Sequence, residues 1–240
     1  MSISASIKRF LKELFKELFL TRVFNHVQLA QYLDQLYAKN IKASCSGLPD
    51  KILFPREFWT QVKDLYEKTR AHNIEYASSV YVIDGDVIFT PPIKGQASHV
   101  QIRHKIRWKY RPLGNNRYEK IVFVDDKQVF KKILPAEKVP RHLRSTYLFS
   151  VHTHPWHQGF GYSYFSHQDM KSLVHGRALA IGLITDKLHL VFKTQKSPNT
   201  WTMPSKKLIT PKLLQQLGFC LYTAEFSKEL EKMPYDPETT

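Results

Sequence analysis

Only two of the 240 residues are cysteines, Cys45 and Cys220. That excludes a disulfide-rich scaffold and a cysteine-rich zinc module, and it suits a reducing, cytoplasmic compartment. Glycine is sparse, with nine residues beside thirteen prolines, so collagen-like and low-complexity chains are excluded. No run of about 18 uncharged apolar residues occurs, so no membrane-spanning helix is expected. Acid is scarce: 21 Asp and Glu face 36 Lys and Arg, a net charge of +15. Such an excess argues for solubility and anionic partners, not for a particular fold. The hydrophobic share of 42% is that of an ordinary globular chain, long enough for one full domain and an appendage.

Residues 6–24, SIKRFLKELFKELFLTRVF, place Ile7, Phe10, Leu11, Leu14, Phe15, Leu18 and Phe19 at amphipathic-helix spacing. The charges between them are too frequent for a signal peptide. This helix either packs on the body or a partner chain, or lies in a membrane interface. A second helix is expected over Val27–Lys39, and a turn-rich connector over Asn40–Asp50. The expected organisation is therefore an N-terminal helical extension, residues 1–48, and a domain, residues 49–240.

Pro55–Arg70 reads as a third helix. After His72 the period becomes strand-like. Tyr76–Ile83 and Asp86–Phe89 flank Asp84-Gly85, a strong hairpin signal. Val100–Arg111 and Tyr118–Val124 form a longer hairpin, and Tyr147–His152 is a short apolar strand. Ser166–His175 is a helix stopped by Gly176. Leu179–Thr185 and Leu188–Lys193 make another hairpin, and Thr210–Lys232 a closing helix. Mixed strands and helices point to an α/β or α+β layer fold.

The chemistry concentrates in HTHPWHQGFGYSYFSHQD, residues 152–169. His152 and His154 sit two apart at a strand end, so both imidazoles face one way and can share a metal ion. Composition alone yields His-x-His-Pro only about 0.03 times in such a chain, so the pattern carries information. Asp169, in the first turn of the next helix, is the natural third ligand. Two imidazoles and a carboxylate make a catalytic zinc set with a fourth position open. Ser166 and Asp169 also form a capping pair that starts a helix. His157 and His167 read as solvated loop residues. Cys45 lies in a turn and has no partner that sequence can name.

His-Thr-His-Pro followed by Ser-His-Gln-Asp resembles the JAMM motif of MPN-type zinc metalloproteases. The resemblance implies an α/β/α MPN-like (cytidine-deaminase-like) mixed sheet flanked by helices. It also implies one zinc per chain, held by His152, His154 and Asp169. Ser166 would orient the zinc water or stabilise an oxyanion, and an upstream Glu would act as base. Glu75, between the third helix and the first strand, is at that Glu's place; Glu67 and Glu57 are fallbacks. The implied activity is hydrolysis of a peptide or isopeptide bond at the tail of a ubiquitin-like or sulfur-carrier protein. The chain departs from the pattern in its longer loop between Pro155 and Ser166 and in the hairpin that precedes the His strand.

A second feature stands apart. Arg103, Lys105, Arg107, Lys109 and Arg111 alternate with apolar residues along Val100–Arg111, so five cations share a strand face. From Lys94 to Lys120 there are eight positive residues and one acid. This is a solubilised edge or a surface for an acidic protein, a nucleic acid or a phospholipid head group. An alternative function follows: a nucleic-acid-associated, RadC-like binding protein with the body as scaffold. A third is a subunit whose N-terminal helix docks on another chain.

Overall fold

The hydrophobic period that switches after His72 marks the first long strand of the main sheet in the computed structural model, which describes residues 21–95, 104–155, 164–204 and 208–234. Residues 6–20 of the expected first helix, Arg103 and His157 lie outside the described residues; the end of that expected helix, Val23 and Phe24, is strand instead. Thirteen strands and four helices follow in the described part. β1 (Val23–Asn25) leads into α1 (His26–Lys39), capped by the Asn25 side chain on the backbone of Val27 and Gln28. β2 (Lys51–Leu53) precedes α2 (Arg56–His72), which ends at Asn73 with a left-handed φ of 51°.

β3 (Tyr76–Ile83) and β4 (Asp86–Phe89) form the expected hairpin. Its turn residues Asp84 and Gly85 take φ of 45° and 85°, which the Asp-Gly pair tolerates. β5 (Ile93–Lys94) pairs with the start of β3. β9 (Ser145–Thr153), α3 (His167–His175), β10 (Ala180–Ile184) and β11 (Lys187–Phe192) carry the His motif and the hairpin after it. The main sheet runs β1-β2-β13-β12-β11-β10-β9-β3-β4, with β9 and β10 parallel and α3 crossing between them.

Strand alternation sends side chains to two cores. Leu29 and Leu33 of α1 and Phe58, Val62 and Leu65 of α2 pack with Val80, Leu148 and Leu190. On the other side Met170 and Leu173 of α3 meet Ile181, Leu183, Val191 and Leu221.

The α/β/α MPN-like class expected from sequence is not the architecture observed. The chain is mostly β, a ten-stranded mixed sheet beside a separate three-stranded one, and its four helices are short. Two stretches account for the difference. The closing helix expected over Thr210–Lys232 is only α4 (Pro211–Gln216). Gly218, with φ of 81°, ends it, and β12 (Cys220–Glu225) and β13 (Leu230–Lys232) join the main sheet instead. The second stretch is the basic hairpin, which gains a third strand. β6 (Ile106–Gly114), β7 (Arg117–Val124) and β8 (Lys127–Pro135) make their own antiparallel sheet.

Cys45 also has a partner: it forms a disulfide with Cys220 of β12, tying the connector after α1 to the sheet. The expectation of an unpaired Cys45 is therefore corrected. Among the described residues no helix is long and apolar enough to cross a membrane.

The small sheet is fastened to the large one at the β3–β4 turn. Val122 is fully buried against Ile83 and Ile88, and each such side chain contributes about 1.5–3 kcal/mol. Asp84 accepts hydrogen bonds from Trp108 Nε1 at 2.6 Å and the Tyr110 hydroxyl at 3.0 Å. Its other oxygen accepts from the Arg144 backbone at 2.6 Å. Lys120, itself buried, donates to Asp86 and to the Ile83 carbonyl. Asp84→Ala should cost about 3 kcal/mol, because three donors lose a charged acceptor. Asp84→Asn should cost less, since it keeps an acceptor and tolerates the left-handed backbone. Urea unfolding of the three proteins measures both.

Candidate metal centre

The pairing of β3 with β9 puts Ala77 opposite His152. Continued one step outwards, that register sets Tyr76 against Thr153, and a second step sets Glu75 against His154. Strand parity then sends His152, His154 and Glu75 to one face and Thr153 to the other. The ligand atoms of Glu75, His152 and His154 lie within 4.8 Å of one another.

Asp169 approaches from α3. Ser166 caps that helix: its hydroxyl accepts from the Asp169 N–H at 3.1 Å, and the Asp169 carboxylate accepts from the Ser166 N–H at 2.7 Å. The capping box is therefore present, and it aims the Asp169 carboxylate at the two histidines. His152 Nε2 is 3.3 Å from one Asp169 oxygen, and His154 Nε2 is 3.5 Å from the other. The two Nε2 atoms are 3.2 Å apart.

Those three separations test the fit of a metal ion. Tetrahedral zinc with bonds of about 2.0–2.1 Å places its donors roughly 3.3 Å apart. The 3.2 Å between the two Nε2 atoms matches two corners of that figure, and each imidazole lies 3.3–3.5 Å from a different oxygen of the Asp169 carboxylate. All three residues are buried, with 0%, 4% and 1% of the surface of His152, His154 and Asp169 exposed. Three ionisable groups gathered away from water require either a shared charge partner or a proton arrangement among themselves. Glu75 also lies within reach of a metal, but its half-buried position beside the trio suits a proton acceptor equally. Glu57 and Glu67 are exposed on α2 and do not join the site. Ser166 is exposed at the helix start, with its oxygen turned to the Asp169 N–H.

Electrostatics bind the trio. Burial disfavours a charged His152, but the Asp169 carboxylate outweighs it and holds the imidazole above its ordinary value. Burial likewise works against ionised Asp169, and the two imidazoles overcome it, keeping the carboxyl well below the usual range.

The sequence reading passed over Thr153, the residue between the two histidines. It is buried on the α2 side, where its hydroxyl meets the Thr69 hydroxyl in the last turn of α2 and accepts from the Tyr76 N–H at 3.0 Å. The Glu75 carbonyl accepts from the Gly95 N–H at 2.8 Å. The Glu75 peptide is thus held by β5 on one side and, through the next residue, by the histidine strand on the other. The signal was available: a hydroxyl between two same-face histidines must point to the opposite layer. Gly182 was missed too. A Cβ there would lie 2.7 Å from Val151 Cγ1, so only glycine lets β10 approach the histidine strand this closely.

Thr153→Val should lower stability by about 1–3 kcal/mol, because the Tyr76 N–H and the Thr69 hydroxyl lose their partner in a buried place. Thr153→Ser should restore most of it; chemical unfolding of both variants decides. A pH prediction follows from His152. Its raised value means protons compete with a metal ion already above about pH 6.5. Zinc affinity, measured against a chromophoric chelator, should therefore fall steadily as pH drops from about 8 to about 5.5. An affinity flat over that range would contradict the pairing of His152 with Asp169.

Comparison of the chain with protein-family models, with curated proteins and with solved structures found no match.

Proposed function

We propose that this protein is a zinc-dependent hydrolase that cleaves a peptide or isopeptide bond. The observation that carries the reading is the convergence of His152 Nε2, His154 Nε2 and the two Asp169 carboxylate oxygens at 3.2–3.5 Å, with Glu75 beside them. It rests on side-chain placement and on the resemblance of the His-Thr-His-Pro and Ser-His-Gln-Asp segments to the JAMM motif, not on the fold. The tail of a ubiquitin-like or sulfur-carrier protein is the substrate that the resemblance suggests.

Zinc held by His152, His154 and Asp169 would supply Lewis acidity, which acidifies water and polarises a carbonyl. The chain's own residues would do the rest. The Glu75 carboxylate would take the proton from the attacking water and return it to the leaving amine. Ser166 sits next to the ligand helix with its hydroxyl hydrogen available to steady a developing oxyanion. Asp169, aimed by the Ser166 cap, would complete the ligand set and take no part in proton transfer. A cytoplasmic location belongs to the same proposal, and the Cys45–Cys220 disulfide argues against it, because such bonds persist mainly in oxidising compartments.

The purified protein should carry about one zinc per chain. Glu75→Gln should retain that zinc and lose at least about 100-fold in hydrolysis, because an amide cannot accept the water proton. His152→Ala combined with His154→Ala should lose both. Elemental analysis, together with cleavage of a peptide amide and of a ubiquitin-like fusion, reads the outcome. Full zinc occupancy in the double variant would overturn the site. Undiminished cleavage by Glu75→Gln would remove Glu75 from the mechanism.

A further inference from the structure

The three-stranded sheet β6–β8 has two unlike faces. Its inner face is committed: Ile106, Trp108, Val122 and Phe130 pack around Ile83 and Ile88 of the main sheet. The outer face therefore points away from the body. Register sets Arg107 opposite Phe123, Lys109 opposite Ile121 and Arg111 opposite Glu119, with Lys131 of β8 completing the Ile121 row.

Three cations thus stand at every second residue of β6, spaced about 6.7 Å apart along the strand. The side chains of Arg107, Arg111 and Lys131 are 57%, 56% and 53% exposed. Acid on this face is limited to Glu119, whose side chain is 2% exposed beneath Arg111 and Lys131. Asp126, in the β7–β8 turn, pairs with Arg107. Four cations thus meet two carboxylates, the covered Glu119 and the exposed Asp126, which leaves a net positive charge. Between them lies a half-buried ring, Phe123, with the Lys109 ammonium 5.8 Å from its centroid. Ile133 of the same face is 54% exposed.

A face that only needed solubility would mix both signs. This one repeats positive charge at even spacing and adds an aromatic ring and an exposed aliphatic chain. We infer that the outer face of β6–β8 binds single-stranded nucleic acid, with Arg107, Lys109, Arg111 and Lys131 on successive phosphates and Phe123 stacking an unpaired base. Guanidinium groups suit bidentate contact with phosphate. A ring on an open sheet serves as a platform for a splayed base, which a duplex does not offer. The anchor of this sheet at Ile83 lies roughly 26 Å along β3 from Glu75, so the surface is separate from the metal centre.

The test is fluorescence anisotropy of a labelled oligothymidylate with the full chain at several salt concentrations. Duplex DNA, polyglutamate and phosphatidylserine vesicles run alongside. Wild type should bind the single strand, with an affinity that falls as salt rises. Replacing Arg107, Lys109, Arg111 and Lys131 by Gln should weaken binding at least about tenfold and reduce the log–log salt slope by about 2–3, at roughly 0.7 per phosphate. Phe123→Leu should weaken it about 5- to 100-fold and leave the slope unchanged. Circular dichroism checks the fold; if the fourfold variant does not fold, Lys109→Gln, with a slope loss of about 0.7, takes its place. His152→Ala should bind as wild type does, which keeps this result independent of the hydrolase reading. Absent binding at low salt, equal binding by the charge variants, or equal or tighter binding of duplex, polyglutamate or vesicles would overturn the inference.

Discussion

The antiparallel pairing of β3 with β9 sets the position of the groups that matter. Its register, from Ala77 opposite His152 to Ile83 opposite Ser145, fixes two ends at once. At one end β9 delivers His152 and His154 while the lead into β3 delivers Glu75. At the other, the turn after Ile83 offers Asp84 and Asp86 to the small sheet. A slip by one residue would turn every side chain of β3 to the wrong layer. Glu75 would leave the histidines, and Ala77 and Val80 would exchange faces with polar neighbours. The buried hydroxyls of Ser79 and Ser150, 3.3 Å apart across the pair, resist such a slip.

Within that frame the cluster of His152, His154 and Asp169 is a balance of burial against charge. Neither His152 nor Asp169 would keep its charge alone at this depth. Side by side, each shifts the other in the direction that favours the charged pair. The carboxylate holds both imidazoles close, one at each of its oxygens. The helix cap contributes from outside. Ser166 and Asp169 satisfy each other's backbone N–H groups, so the carboxylate cannot swing away without uncapping α3.

Much of this was legible in the residues. Asp84-Gly85 fixed the β3–β4 hairpin to the residue, and Ser166 with Asp169 fixed the start of α3. The histidine pair was legible because its period of two matches a strand. The missed parts share a cause. Residues 220–232 have a spacing that helix and strand both accommodate, and only the partners β11 and β2 select the strand. β8 reads as a polar, lysine-rich stretch because one of its faces is solvated and the other is covered by a strand pair distant in sequence. The Cys45–Cys220 bond joins residues 175 apart, a proximity that no local pattern encodes.

The two surfaces of interest are held by different physics, and that separates their tolerance to change. The candidate metal site depends on buried groups within about 3.5 Å of one another, where low dielectric magnifies any displacement. The basic face depends on exposed side chains whose mutual repulsion water and salt moderate. Its backbone is nevertheless rigid, because Trp108, Tyr110 and Lys120 on the reverse side are tied to Asp84 and Asp86. Evenly spaced cations on a flexible loop would lose their spacing to motion. On a strand fastened from behind they keep it, so the apolar and hydrogen-bonded inner face is what turns a local excess of charge into a surface with a defined repeat.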